Sequence, residues 1–407
     1  MKVLLVGSGG REHALAWKLS HSSELTQLHA APGNPGIASI GDCHPVRAED
    51  AEGLLGLARE LDIDLVVVGP EAPLVAGVAD HLRYAGIAVF GPGREAARIE
   101  GSKTFAKEVM RAAGIPTAET FPVARPPCVV KADGLTAGKG VFVCETQDEL
   151  DAALRAAASF GDQIVIEELL QGPELSVFAL SDGSAVVALP EARDYSRVGD
   201  GDTGPNTGGM GCYSPVPDAP DAHELVELVV KPVIAELAGR GSAFAGCLYA
   251  GMILTEDGPR VLEFNCRFGD PETQVILPRL EGDLLVALTA AAHGDLTGVS
   301  LATAESAAVT IAMAAGGYPK ERDSGTPIDG VEAAEAAGAL VFHAGTALRG
   351  DRLVTNGGRI LNVTGVGASI EEARDHAYAG VERISFAGSR YRKDIALNAG
   401  AREHVAG

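Results

Sequence analysis

Residues 3–12 read Val3-Leu4-Leu5-Val6-Gly7-Ser8-Gly9-Gly10-Arg11-Glu12. A short apolar run that breaks into glycine fits a strand buried on both faces, and the turn opens a helix through Trp17 and Leu19. The texture recurs: Leu65-Val66-Val67-Val68 runs into Gly69-Pro70-Glu71-Ala72-Pro73, and Ile87-Ala88-Val89-Phe90 into Gly91-Pro92-Gly93. Helical stretches at 51–61 and 74–84 lie between them. Strands alternating with helices predict a parallel α/β sheet, with ligands beyond the carboxyl ends of its strands, where the glycine loops fall.

The chain has 407 residues, 46% apolar and 22% charged, with a formal net charge of −22. That composition supports a buried core and excludes global disorder. At about 150 residues per domain the length predicts two to three domains. The charge excludes a broad surface for nucleic acid or acidic membrane, so a phosphate-bearing substrate needs a local cluster of Lys and Arg. The 51 glycines cluster beside short apolar runs, as in loops where backbone approaches a ligand. Six cysteines form neither a C-x-x-C pair nor a zinc-spaced group, which fits a reduced, cytoplasmic protein. Neither a signal peptide nor a membrane span is expected.

From about Glu100 the texture changes to α+β. A helix at 103–113 precedes shorter strands at 128–131, 140–144, 164–167, 175–180 and 185–189, with Asp182-Gly183 as a turn signal. Near Ser300 it changes again, to strands at 307–314, 339–343 and 359–364 and a helix at 370–386, a small α/β unit.

Five stretches carry chemistry. Gly7-x-Gly9-Gly10 departs from a dinucleotide fingerprint, because Glu12 holds the third glycine position and would oppose a pyrophosphate. Phosphate or amine binding at this helix start, helped by Arg11, stands beside a plain tight turn. Lys131-Ala132-Asp133-Gly134-Leu135-Thr136-Ala137-Gly138-Lys139-Gly140 is not a Walker loop. Its glycines and two lysines still suit a triphosphate, as a lid between two strands; a plain hairpin with surface lysines is the alternative. The stretch from Arg260 to Glu272 reads first as a strand, with Leu262, Phe264 and Cys266 on one face and Glu263, Asn265 and Arg267 on the other. A carboxylate and an amide oxygen two apart can share a hard cation completed by phosphate and water, although the same alternation suits a solvent face. Arg267 could then bind a substrate carboxylate or the transferred phosphoryl group. Thr203-Gly204-Pro205-Asn206-Thr207-Gly208-Gly209-Met210-Gly211 reads as a structureless loop, for substrate or disordered. Ile164 to Leu170, an apolar strand ending in Glu167 and Glu168, could take an adenine and a ribose with Glu174, or be an ordinary strand and turn. His343 and Thr355 to Arg359 add polar groups in the last unit, His343 reading more simply as structural.

Together these stretches resemble the phosphoribosylamine–glycine ligase family of the ATP-grasp superfamily, nearly end to end. The resemblance rests on residues 9–14, 68–74, 100–103, 114–117, 131–134, 203–211, 263–272, 315–319 and 343–346. The segments between Thr117 and Lys131 and before Ile164 look shorter than in the family, and residues 191–195 differ from its pattern. The resemblance implies an N-terminal α/β domain at 1–100, an ATP-grasp domain at 101–300 with a mobile lid at about 114–172, and a C-terminal domain at 301–407. It implies ATP-dependent joining of glycine to 5-phosphoribosylamine, a step of purine synthesis, through glycyl phosphate. Glu263 and Asn265 would hold Mg²⁺ or Mn²⁺. Lys103, Lys107, Lys131 and, on the lid, Gly138, Lys139 and Gly140 would serve the nucleotide phosphates. Glu167, Glu168 and Leu170 would frame the adenine, and Glu174 the ribose. Arg267 and Lys131 would act in catalysis. Gly9, Gly10, Arg11, Glu12, Glu71, Asp194, Thr203, Pro205, Asn206, Thr207, Gly208, Gly209, Gly269 and Asp270 would serve the sugar substrate. A monomer is expected, with small-molecule partners only. A nicotinamide-dependent dehydrogenase, a non-catalytic nucleotide-binding regulator and a ligase for another acid and amine are the rival readings.

Overall fold

A computed structural model describes residues 1–136, 140–161 and 163–399. The first sheet is parallel throughout and ordered Asp42–Cys43, Gln27–Pro32, Lys2–Gly7, Leu65–Val68, Val89–Phe90. The strand Gln27–Pro32 was not legible in the sequence. Side chains alternate across the sheet: Leu4, Val6, Val66 and Val68 enter one core, and Val3, Leu5, Leu65 and Val67 another. The strand order reverses between Lys2–Gly7 and Leu65–Val68, so a crevice opens beyond Gly7 and Gly69. The helix expected at 74–84 is two helices, Glu71–Ala76 and Val78–Tyr84, broken at Gly77, whose φ of 88° no right-handed helix accepts.

A four-stranded antiparallel sheet forms the floor of the middle region, ordered Val186–Ala188, Glu174–Asp182, Ala245–Thr255, Gly258–Asn265. Facing it stands a small three-stranded sheet, Val141–Cys144, Cys128–Ala132, Ile164–Glu168, antiparallel and backed by the helix Gln147–Ala157. This lid has its own apolar core of Cys128, Val130, Ala132, Cys144, Leu150, Ala153 and Ala157. Two devices fix the helices on either side of this region. Ser102 caps Lys103–Ala112 by accepting from the Phe105 N–H, and Thr146 and Glu149 form a capping box on Gln147–Ala157.

The last unit is built on the strands Ala307–Ala314, Arg359–Gly367 and Leu340–His343, and its sheet also takes Arg193–Asp194 and Gly211–Ser214 from the middle of the chain. The stretch from Thr203 to Gly211 is therefore not a structureless loop. Thr203–Asn206 pairs with Arg197–Gly199 as a hairpin, and the buried guanidinium of Arg392 holds it through Asp202 at 2.6 Å and the Arg197 carbonyl at 3.1 Å. The helix Ile370–Val381 ends short of the expected 386. It packs so closely on the sheet that a Cβ at Gly365 would meet the backbone of Ala373 and Ala377.

Gly365→Ala should therefore lower the unfolding free energy by about 1–3 kcal/mol. Gly56→Ala, at an exposed site in the helix Ala51–Glu60 with nothing near its added Cβ, should raise it by about 0.5–1 kcal/mol. Denaturant titration of both variants checks the pair.

Candidate functional site

A cleft of about 570 Å³ runs between lid and floor, from the helix Lys103–Ala112 to the crevice of the first sheet. Near its middle, two lysines meet one glutamate. Glu167 takes Lys107 Nζ at 3.0 Å on one oxygen and Lys131 Nζ at 2.8 Å on the other. All three side chains are buried. Period two along Cys128–Ala132 and Ile164–Glu168 turns Lys131 and Glu167 inward from neighbouring strands of the lid. Lys131 Nζ also reaches the Leu262 carbonyl on the floor at 2.9 Å. Two of its three donors are thus used and one is left for the cleft. Lys103 sits beside them, its Nζ on the Gly134 carbonyl at 3.1 Å, and Asp133 accepts from its backbone N–H.

The strand Gly258–Asn265 supplies the opposite wall. A bulge departs from strict alternation: Gly251 pairs with Glu263 and Met252 with Val261, which leaves Leu262 unpaired. Val261 takes the buried position, and Leu262 lines the cleft instead of facing away. From Glu263 onward, Glu263, Asn265 and Arg267 line the cleft as expected; Cys266 is buried away from it, and Phe264, buried as well, still borders it. Among the described residues no hydrogen bond or ion pair engages the Glu263 carboxylate, and no group of three or more His, Cys, Asp or Glu is set to hold a metal. A carboxylate open to the cleft beside an amide suits a hard cation that takes its other ligands from phosphate and water.

At the far end charges are closely matched. Arg267 Nε meets Glu71 at 3.1 Å, and its Nη2 meets Glu100 at 3.0 Å and Asn265 Oδ1 at 3.3 Å. Its Nη1 donates to the Phe268 carbonyl at 3.1 Å, leaving one donor of the fork. Burial opposes the charge on Arg267, but Glu100 and Glu71 outweigh it and raise its proton affinity. Burial would likewise raise Glu71, yet Arg267 and Arg11 pull it down to about 2. Burial pushes Asp194 and Glu272 above the usual carboxylate range; Glu272 repels Asp194 further, and Asp270 repels Glu272. Arg359 crosses from the last unit, meeting Asp270 at 2.8 Å and donating to the Gly208 carbonyl, while Tyr318 Oη accepts from the Gly208 N–H at 3.0 Å.

The helix start Gly9-Gly10 differs from its expected role. Glu12 Oε2 accepts from the Gly9 N–H at 2.6 Å, and Glu12 Oε1 takes Arg11 Nε at 2.6 Å. The protein's own carboxylate fills the place of an anion there. Only glycine fits at 7 and 69, where a Cβ would strike Glu12.

Of the nucleotide and metal candidates, Lys103, Lys107, Lys131, Glu167, Glu168, Leu170, Glu174, Glu263 and Asn265 line the cleft and Gly140 does not; Gly138 and Lys139 lie outside the described residues. Lys107 has all its donors taken, by Glu167, Thr117 Oγ1 at 2.7 Å and the Ala118 carbonyl at 3.0 Å. It has none for a phosphate. Glu167 likewise faces lysines rather than a base, and Glu168 pairs with Arg260 at 3.6 Å. Of the substrate candidates, Arg11, Glu71, Asp194, Asn206, Thr207, Gly208, Arg267 and Asp270 line the cleft, while Gly9, Gly10, Glu12, Thr203, Pro205, Gly209 and Gly269 do not. Pro205 lines a second cavity, between the lid helix and the body. Sequence reasoning missed Glu100, Glu272, Tyr249 and Arg359 as lining residues. Arg359 stands in a Gly-Gly-Arg stretch already notable for its glycines, Glu100 and Glu272 stand in stretches that carry the family resemblance without a role read from them, and Tyr249 carried no local signal.

A parallel sheet, an antiparallel floor and a small lid closing over lysines and a Glu/Asn strand define an ATP-grasp protein. Residues 1–100, 101–273 and 308–398 match the N domain, the ATP-grasp (A) domain and the C domain of phosphoribosylglycinamide synthetase. The chain belongs to that family. It is 51% identical over 417 residues to the phosphoribosylamine–glycine ligase of Streptomyces coelicolor, covering 98% of this chain and 99% of that one. It is 48% identical over 426 residues to the ligase of the same name from Mesorhizobium japonicum, covering 100% of each. The crystal structure of the Thermotoga maritima phosphoribosylamine–glycine ligase superposes with a TM-score of 0.85 at 35% identity, over 97% of this chain and 100% of that one. The biotin carboxylase domain of the Hydrogenobacter thermophilus 2-oxoglutarate carboxylase, at 19% identity and a TM-score of 0.70 over 96% of this chain and 91% of that one, shares the fold.

The depressed Glu71 carboxyl has a pH signature. Its ordinary value is 4.5 and its folded value about 2, so its stabilisation is complete above 4.5 and is lost as pH falls toward 2. The wild-type stability advantage over Glu71→Gln should be roughly 3 kcal/mol at pH 7. It should shrink steadily below pH 4.5, as denaturant titrations across pH would read.

Proposed function

We propose that this chain joins glycine to 5-phosphoribosylamine at the expense of ATP, giving glycinamide ribonucleotide, ADP and phosphate. The observation that carries the reading is the meeting of lid and floor at the site: Lys131 Nζ lies 2.9 Å from the carbonyl of Leu262, the residue before Glu263. A lysine and a cation-holding carboxylate thus face one space, as a triphosphate requires.

Glycine carboxylate attacks the γ-phosphorus and ADP leaves, forming glycyl phosphate. The sugar amine then attacks the acyl carbon, loses a proton and expels phosphate. The demands on the protein are charge neutralisation, alignment and exclusion of water from the acyl phosphate. Lys131 and Lys103 supply positive charge to the phosphates. Glu263 and Asn265 would hold Mg²⁺ or Mn²⁺, which supplies Lewis-acid neutralisation of phosphate charge when bound. The apolar wall of Met110, Val129, Leu170, Met252 and Leu262 receives the adenine, and Glu174 the ribose. Arg267, held in place by Glu71 and Glu100, directs its remaining donor at the acyl phosphate. Arg11, Glu71, Asp270 and the 206–208 segment receive the phosphoribosyl group. The partners are these small molecules.

Glu263→Gln combined with Asn265→Ala should abolish phosphate release from ATP in the presence of glycine and phosphoribosylamine made in situ. The circular dichroism spectrum should stay near wild type, because among the described residues Glu263 engages no other group and Asn265 gives up only the 3.3 Å bond from Arg267. Full turnover by that double variant would remove the proposed metal site. Phosphate release driven by another small acid in preference to glycine would remove the substrate assignment.

A further inference from the structure

Two lysines buried on one glutamate are more than binding ATP requires, since Lys107 has no donor left for a ligand. Its surroundings give it another task. Lys107 lies on the helix Lys103–Ala112 of the body, Glu167 and Lys131 on two strands of the lid. The Thr117 hydroxyl that accepts from Lys107 itself donates to the Val261 carbonyl at 2.6 Å, on the strand that carries Glu263 and Asn265. Thr117 also forms a parallel bridge with Val261. One ammonium thus joins the chain entering the lid, the lid sheet and, through Thr117, the metal-facing strand.

We propose that Lys107 is a positioning residue: acting through Glu167 and Thr117, it keeps Lys131 aimed at the ATP phosphates while touching no substrate itself. This rests on the reading of Lys131 as a phosphate ligand. With Lys107 present, the buried trio carries one net positive charge, which the cleft can use. Without it, Glu167 and Lys131 form a neutral pair, and the attraction of the buried carboxylate pulls Lys131 away from the nucleotide. Burial lowers the proton affinity of Lys107, and Glu167 partly restores it.

The test measures Mg-ATP affinity directly by calorimetry, alongside steady-state kinetics. Lys107→Met should weaken Mg-ATP binding and raise its KM roughly tenfold, with kcat and the KM for glycine changed by no more than about threefold. Adding Glu167→Gln to Lys107→Met removes the unneutralised acid and should recover most of the lost ATP affinity. Thr117→Val, which introduces no buried charge, should weaken ATP binding in the same direction by about threefold, and it carries the test if Lys107→Met fails to fold. A merely structural role would lower kcat or the melting temperature and leave Mg-ATP affinity alone. That result, unchanged affinity in Thr117→Val, or a double variant no better than Lys107→Met would each overturn the proposal. Wild-type protein that binds no Mg-ATP would remove the ATP reading itself, and this inference with it.

Discussion

The contact of Lys131 with the Leu262 carbonyl, 2.9 Å across the cleft, is the constraint on which the site depends. It spans two sheets that share no strand, the lid and the floor. A buried ammonium needs acceptors, and Lys131 finds one on each side: Glu167 beside it and a main-chain oxygen opposite. The bulge at Leu262 disturbs strict strand pairing at the point where Lys131 docks. The lid is therefore registered on the residue adjoining Glu263, and the candidate phosphate and metal groups are held together by the fold itself.

The excess of acid over base in the chain reappears in the cleft, sorted by position. Three arginines there are matched by carboxylates one for one or better: Arg267 by Glu71 and Glu100, Arg359 by Asp270, Arg11 by Glu12. Matched arginines hold their geometry, because most of their donors already have fixed partners. The cleft thus presents a lattice of forks and carboxylates rather than a diffuse positive patch. The hairpin at 197–206 belongs to the same lattice, since Arg392 holds it to the last unit.

Much of this was legible in the residues. Apolar runs ending in glycine marked strands of the parallel sheet, and period two from Glu263 to Arg267 put the metal candidates and Arg267 on one wall. What escaped were pairings between residues far apart in sequence. No local pattern says that Glu100 will reach Arg267 or that Glu167 will take two lysines, because those contacts exist only once separate sheets pack. Strands such as Gln27–Pro32 and Ala245–Thr255, rich in small residues, gave too weak a periodicity to separate from loop. Leu262 was misplaced because a bulge adds one residue to the count, and nothing in the sequence said that Glu12 would fold back onto the Gly9 N–H of its own helix.

That last feature reaches beyond the site. A doubly wound sheet with glycine at its first turn is built to seat a diphosphate, yet here Glu12 occupies the seat and Gly7 and Gly69 are shaped around it. The scaffold thereby carries a permanent internal counter-ion. A dinucleotide would find the Gly9 N–H already taken by a carboxylate, so the turn is specialised away from the cofactor its fold usually serves.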